Sequence, residues 1–115
     1  MDMVVEMVGD VAVVSPRGQY LVISNSEEFK RDISPVVDEN LKVLLDMSQL
    51  QFVDSSGLGA ILSALRRLSA RGGDLKLCGM SKAVRELLEI TRMHRIFDIY
   101  GNREEAIASF QKESA

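Results

Sequence analysis

A single cysteine, Cys78, leaves no partner for an internal disulfide and no cysteine pair for a zinc site. It stands in the apolar run Leu75-Lys76-Leu77-Cys78, which suits a small buried hydrophobe. Histidine also occurs once, as His94 in a basic loop-like segment, so a serine–histidine hydrolase has little to work with. No Gly-x-Ser-x-Gly elbow, Walker loop or dinucleotide fingerprint is present. Asp46, Asp54 and Asp74 are scattered without a metal-ligand spacing. The expectation is a protein that is not an enzyme and carries no cofactor and no metal. Positive charge is also scarce, with 14 Lys and Arg against 17 Asp and Glu and a net charge of −3. That balance offers no footprint for nucleic acid. The basic runs Arg66-Arg67, Arg71 and Arg92 to Arg95 read as solvated faces or as a contact for an acidic partner. No apolar run reaches the length of a membrane span, and Met1-Asp2-Met3 does not open a signal peptide. The chain is therefore expected in the cytoplasm, away from membranes.

What is present is the composition of one globular domain over residues 1–115, with 46% apolar and 27% charged residues. Only the polar end, Gln111 to Ala115, is expected to be disordered. The Val-rich stretches Met3 to Val8 and Val11 to Val14 flank Gly9-Asp10, a tight-hairpin signature. Pro16 should end the second strand or break its pairing. A loop follows at Gly18. Ser24 or Asn25 can cap a helix in which Phe29, Ile33, Val36 and Val37 recur at helical spacing, with Pro35 expected to kink or split it. Leu41 to Leu45 and Leu75 to Cys78 read as buried strands. Between them Leu58, Ile61, Leu62, Leu65 and Leu68 form one helical stripe that ends at Arg71-Gly72-Gly73. Ser81 caps a short helix over Ala83 to Ile90. Ile96 to Tyr100 is a last strand, and Asn102 caps a last helix over Arg103 to Phe110. After the hairpin the strands and helices alternate. The fold class is α/β, with a mostly parallel sheet, an antiparallel N-terminal edge strand and about four helices.

One segment stands out: Phe52-Val53-Asp54-Ser55-Ser56-Gly57-Leu58-Gly59. On its residues alone it has two readings. In the plainer one, Asp54, Ser55 or Ser56 merely caps a core helix. In the other, a serine hydroxyl beside free amides and the positive end of the helix dipole is a place where a phosphate can be held without unfolding the helix. Gly57 and Gly59 would let another protein approach the backbone. A phosphate there, next to Asp54, would switch that contact off.

The segment Asp54-Ser55-Ser56-Gly57-Leu58-Gly59 resembles the central motif of STAS-domain anti-sigma factor antagonists. The resemblance extends to Val43-Leu44-Leu45-Asp46-Met47-Ser48, to Gly72-Gly73-Asp74-Leu75-Lys76-Leu77-Cys78, and to Ile96-Phe97-Asp98-Ile99-Tyr100 with Glu104-Glu105-Ala106-Ile107. It implies a STAS-like fold and a partner-switching cycle. The dephosphorylated antagonist binds a serine-kinase anti-sigma factor and frees a sigma factor. The kinase then phosphorylates the first serine of the motif, here Ser55, and a metal-dependent serine phosphatase resets it. Asp54 is the motif's preceding acid and Ser56 its neighbouring hydroxyl residue, with Gly57, Leu58 and Gly59 completing the partner-binding segment.

One position departs from the family pattern. In Gly18-Gln19-Tyr20-Leu21-Val22-Ile23, Leu21 falls where the family has an Asp. Tyr20, Leu21, Val22 and Ile23 either form an exposed contact patch or fold back on the core. Without the acid, a second use of the fold stays open. It would be a scaffold or regulatory subunit, as in a stressosome-like or transporter-associated assembly, with little serine phosphorylation.

Overall fold

The computed structural model describes residues 1–114. The hairpin forms as the turn residues dictate: Gly9 adopts φ +61°, and β1 (Met3–Val8) pairs antiparallel with β2 (Val11–Pro16). Pro16 ends β2 yet stays in register opposite Met3. The next residue, Arg17, donates its N–H to Asp2 O at 2.9 Å. Bonded pairs alternate along an antiparallel ladder, so the Pro16 nitrogen points away from β1 and its missing hydrogen removes no hairpin bond.

The chain then forms β3 (Tyr20–Leu21), α1 (Ser26–Glu39), β4 (Lys42–Asp46), β5 (Phe52–Val53), α2 (Ser55–Ala70), β6 (Asp74–Cys78), α3 (Lys82–Ile90), β7 (Asp98–Tyr100) and α4 (Arg103–Ser114). The main sheet has the order β1-β2-β4-β6-β7, with only the β1–β2 pair antiparallel. β3 and β5 make a separate two-residue parallel pair, Tyr20 with Phe52 and Leu21 with Val53. This pair falls where a loop was expected.

Alternation along the buried strands splits the core in two. Ala12, Val14, Val43, Leu45, Leu75 and Leu77 face α1, α2 and α3. Val11, Val13, Leu44 and Cys78 face Ala106 and Phe110 of α4. Burial pushes the Cys78 thiol up to about 12. Lys76 is fully buried on the α4 face, where its Nζ donates to Ser109 Oγ and Glu113 Oε1, both at 2.7 Å, and lies 4.5 Å from the Phe110 ring centre. Burial is the strongest single influence and opposes the ammonium, but the Glu113 hydrogen bond together with the nearby Tyr100, Glu113 and Asp98 outweighs it, and the pKa is raised.

Several local expectations are corrected. α1 is not split at Pro35: it runs from Ser26 to Glu39 as one helix, with Pro35 exposed and Ile33, Val36 and Val37 buried in the core. Asn25 occupies the cap position but turns its side chain backward, accepting from Val22 N and donating to Tyr20 O, both at 2.9 Å. The last strand begins at Asp98 rather than Ile96, since Met93–Arg95 forms a 3₁₀ turn closed by Ile96 N on Met93 O. α4 continues past Phe110 to Ser114, against the expected polar tail, while Ala115 lies outside the described residues. Arg67 and Arg71 are not simply solvated: Arg67 bonds Ser34 and Asp38, and Arg71 bonds the Val37 carbonyl. Ser81 and Asn102 do cap α3 and α4, accepting from Val84 N at 3.2 Å and Glu105 N at 2.9 Å. Gly72, at φ +81°, follows α2 as expected.

Candidate functional site

The segment Asp54 to Gly59 forms the β5–α2 junction. Asp54 is the N-cap of α2, with extended backbone. Its Oδ1 accepts from Gly57 N at 2.9 Å, and its Oδ2 accepts from Ile23 N at 3.0 Å. The first bond satisfies an orphan amide of the helix start. The second ties the loop before α1 to the same carboxylate. These amide bonds, Gly57 first, hold the Asp54 carboxyl below its ordinary pKa, although its partial burial acts the other way. Asp54 thus spends both oxygens on its own backbone.

Ser55, the first residue of α2, is exposed, whereas Ser56 is half-buried. The two hydroxyl positions, equivalent in the sequence, therefore differ in access.

The other motif residues do not share one surface. Leu58 is 2% exposed and packs in the core, so it supports the helix from below. Gly57 is also buried. A Cβ on it would lie 2.1 Å from Leu21 O and 2.8 Å from Val53 Cγ1. Its lack of a side chain makes room for the chain's own β3, not for a partner. Gly59 alone meets the expectation of open space, since a Cβ there would find nothing within 4 Å. The Tyr20–Ile23 stretch splits likewise. Leu21 is 0% exposed, pairs with Val53 and joins the core, so its side chain forms no surface contact. Tyr20 and Ile23 remain 53% and 74% exposed. An Asp at position 21 would bury a carboxylate. The loop positions open to solvent beside Asp54 are Val22, in part, and Ile23.

Exposed apolar residues collect around Ser55. Tyr20 pairs with Phe52, which is 51% exposed, and Ile23 is held by Asp54. Across from Phe52, α3 contributes Ala83, Leu87 and Ile90, the last 79% exposed, to a groove of about 420 Å³ whose lining also includes Ser55. Phe52, Leu87 and Ile90 were not among the expected site residues. The spacing Ala83, Leu87, Ile90 was visible in the sequence, but a helical stripe does not reveal whether it is covered.

A rigid frame supports the junction from the other side of the sheet. Arg103 at the start of α4 donates Nε to Asp46 Oδ2 at 2.6 Å, Nη2 to Ser15 Oγ at 2.8 Å and Nη1 to Glu6 Oε2 at 3.0 Å. Asp46 Oδ1 accepts from Ser48 N at 3.0 Å, which begins the loop leading to β5. Burial raises the Asp46 pKa, but Arg103 and Ser48 overcome it and hold the carboxylate low. Elsewhere Asp74, Asp98 and Glu113 converge within 4.8 Å, a cluster that their spacing in the sequence did not announce. One of the three, Glu113, is paired with Lys76.

Among the described residues no helix is long and apolar enough to cross a membrane. The STAS domain family model matches residues 2–106. A Bordetella bronchiseptica protein named for anti-sigma factor antagonism, BtrV, is 33% identical over 89 residues, covering 76% of this chain and 77% of the relative. A crystal structure of a Thermotoga maritima protein, described with the same role, superposes with a TM-score of 0.87 at 28% identity, covering 93% of this chain and 92% of that one. The Bacillus cell fate determinant SpoIIAA in its phosphorylated form superposes with a TM-score of 0.70 at 25% identity, covering 95% of this chain and 99% of that one.

Proposed function

The chain belongs to the STAS domain family, and on that premise we propose that it is an anti-sigma factor antagonist gated by phosphorylation of Ser55. In this reading it is a cytoplasmic regulatory protein rather than an enzyme. Its dephosphorylated form binds a serine-kinase anti-sigma factor and frees a sigma factor. The kinase uses ATP to phosphorylate Ser55, and a metal-dependent serine phosphatase restores the hydroxyl. The observation that carries the proposal is the exposure of Ser55 at the first position of a capped helix, on the lining of a largely apolar groove with exposed Phe52 and Ile90. Apolar surface of this kind marks contact sites on soluble domains. The relatives named for anti-sigma factor antagonism, and SpoIIAA as a protein with a phosphorylated form, support the same reading.

In this reading each residue has a role that its position supports. Ser55 accepts the phosphate, and Gly59 and the exposed rim of Tyr20, Ile23 and Phe52 meet the partner. Asp54 positions the junction through its two amide bonds, and Gly57, Leu58 and Leu21 shape it from beneath. Ser56 sits one position further into the helix and is less open to a kinase.

The test is peptide mass spectrometry after incubation with ATP and the anti-sigma kinase of the same organism. One phosphate on Ser55, absent from Ser55→Ala, is the expected result. A phosphate on another residue, or none despite a tight complex, overturns the switch.

A second reading, a STAS scaffold or regulatory subunit with little phosphorylation, is favoured by one feature: the loop beside Asp54 presents Val22 and Ile23 rather than a carboxylate. Ile23→Asp separates the two. It should speed phosphorylation if a loop acid assists the kinase. An unchanged rate removes the loop from consideration.

A further inference from the structure

The groove beside Ser55 has a defined chemistry. Val53 and Val84 form its floor, each 1% exposed, and Phe52, Leu87 and Ile90 form its walls. Its charged lining residues are Asp54 and Glu86, and both are acidic. The basic residues of α3, Lys82 and Arg85, are not part of the lining, and Arg85 reaches Glu89 at 3.5 Å. A small-molecule site needs convergent polar groups to orient its ligand. Here the Asp54 oxygens are already engaged by backbone amides, which leaves a largely apolar trough with a negative rim. Strand addition is also disfavoured, because β5 is two residues long and already paired with β3.

We propose that this groove docks one amphipathic helix of the anti-sigma kinase, seating an aliphatic or aromatic side chain against Val84, Leu87 and Ile90 and a Lys or Arg against Glu86. The proposal rests on reading the chain as an antagonist. It also explains how a phosphate releases the partner. A phosphate on Ser55 adds negative charge to a rim that faces a basic residue, and that attraction alone would strengthen binding. A solvent-exposed ion pair is worth up to about fivefold in affinity. Closing an apolar side chain over a phosphate removes its water, and dehydrating an ion costs on the order of a hundredfold or more, beyond what the basic residue at the rim returns. Dehydration therefore wins. Phosphorylation works by keeping the groove wet, not by repelling the partner.

The experiment measures binding of the same organism's anti-sigma kinase to the wild type and to Ala83→Trp, Glu86→Lys and Leu41→Ser. Residues 83 and 86 are exposed on α3, and Leu41 is exposed away from the groove. Circular dichroism and urea midpoints confirm that each variant folds. Ala83→Trp fills the trough and should weaken binding by roughly tenfold or more. Glu86→Lys should weaken it by about fivefold, and Leu41→Ser should leave it unchanged. The Ser55-phosphorylated protein should stay released at about 0.5 M salt, where the Debye length falls below about 5 Å. Recovery of binding at that salt would show that simple repulsion, not dehydration, is the release mechanism. Wild-type affinity in both α3 variants overturns the groove while leaving the switch at Ser55 standing. Absence of any complex with the wild type overturns both. Self-association that Ala83→Trp abolishes, with kinase binding intact, assigns the groove to a second copy and overturns the proposed occupant.

Discussion

Two aspartates hold two ends of the same loop by different means. Asp46, at the end of β4, is buried and bonded to the Arg103 guanidinium and to Ser48 N. Asp54, at the start of α2, is partly exposed and bonded to the amides of Gly57 and Ile23. Both carboxyls are held below their ordinary pKa. The Asp46 network joins side chains from β1, β2, β4 and α4, so it anchors whole elements. The Asp54 bonds are local and leave Ser55 in solvent. The contrast teaches where change is permitted: at the α2 start the bonds at stake are two local ones to backbone amides, whereas disruption at Asp46 would unfasten a helix.

The largest effect is expected at Gly57. Gly57→Ala forces a methyl into Leu21 O and Val53, neither of which can retreat freely, and should cost about 3 kcal/mol in urea unfolding. Gly59→Ala, with open space at its side-chain position, should instead gain up to about 1 kcal/mol from helix propensity. Equal midpoints for the two variants would mean that β3 does not press on α2.

Arg103→Ala comes next. It leaves Asp46 buried without its cation and should cost about 2 kcal/mol, with Ser55 still open to phosphorylation. The same pair sets an acid limb. A depressed folded pKa contributes stability that is complete above the unfolded value near 3.9 and disappears as pH falls through the folded value. Stability should therefore drop below about pH 4, and Asp46→Asn should flatten that drop. A limb of undiminished steepness in Asp46→Asn would place the acid sensitivity elsewhere.

Asp54→Ala should be milder in the melting temperature than Arg103→Ala. Its signature is local: faster hydrogen exchange at the Ile23 and Gly57 amides with the β4 and β6 amides unchanged. Uniform acceleration would show that Asp54 anchors the fold as Asp46 does.

The smallest effect has the opposite sign. Burial raises the Asp74 pKa, so its contribution is complete below the unfolded value and is lost as pH rises through the folded one. Asp74→Asn keeps an acceptor for Leu75 N and should slightly raise stability at neutral pH. A loss would mean that the charged form of Asp74 is bonded better than its burial indicates.

Much of this protein was already determined by its sequence. The Gly9-Asp10 turn, the buried runs of β4 and β6, the stripe of α2 and the caps at Ser81 and Asn102 each follow from local geometry and periodicity, which depend on neighbours along the chain. The resemblance carried by Asp54-Ser55-Ser56-Gly57-Leu58-Gly59 led to the family. Tertiary structure alone decided which of these residues face outward. Leu21 and Ile23 are both apolar and two positions apart, yet one is buried against Val53 and the other stands in solvent, because β3 is too short and isolated for alternation to reveal its register. Gly57 and Gly59 look alike until β3 is laid across one of them. The groove of Phe52, Leu87 and Ile90 exists only because separate elements meet there. Periodicity tells which residues share a face, but only packing decides whether that face is covered.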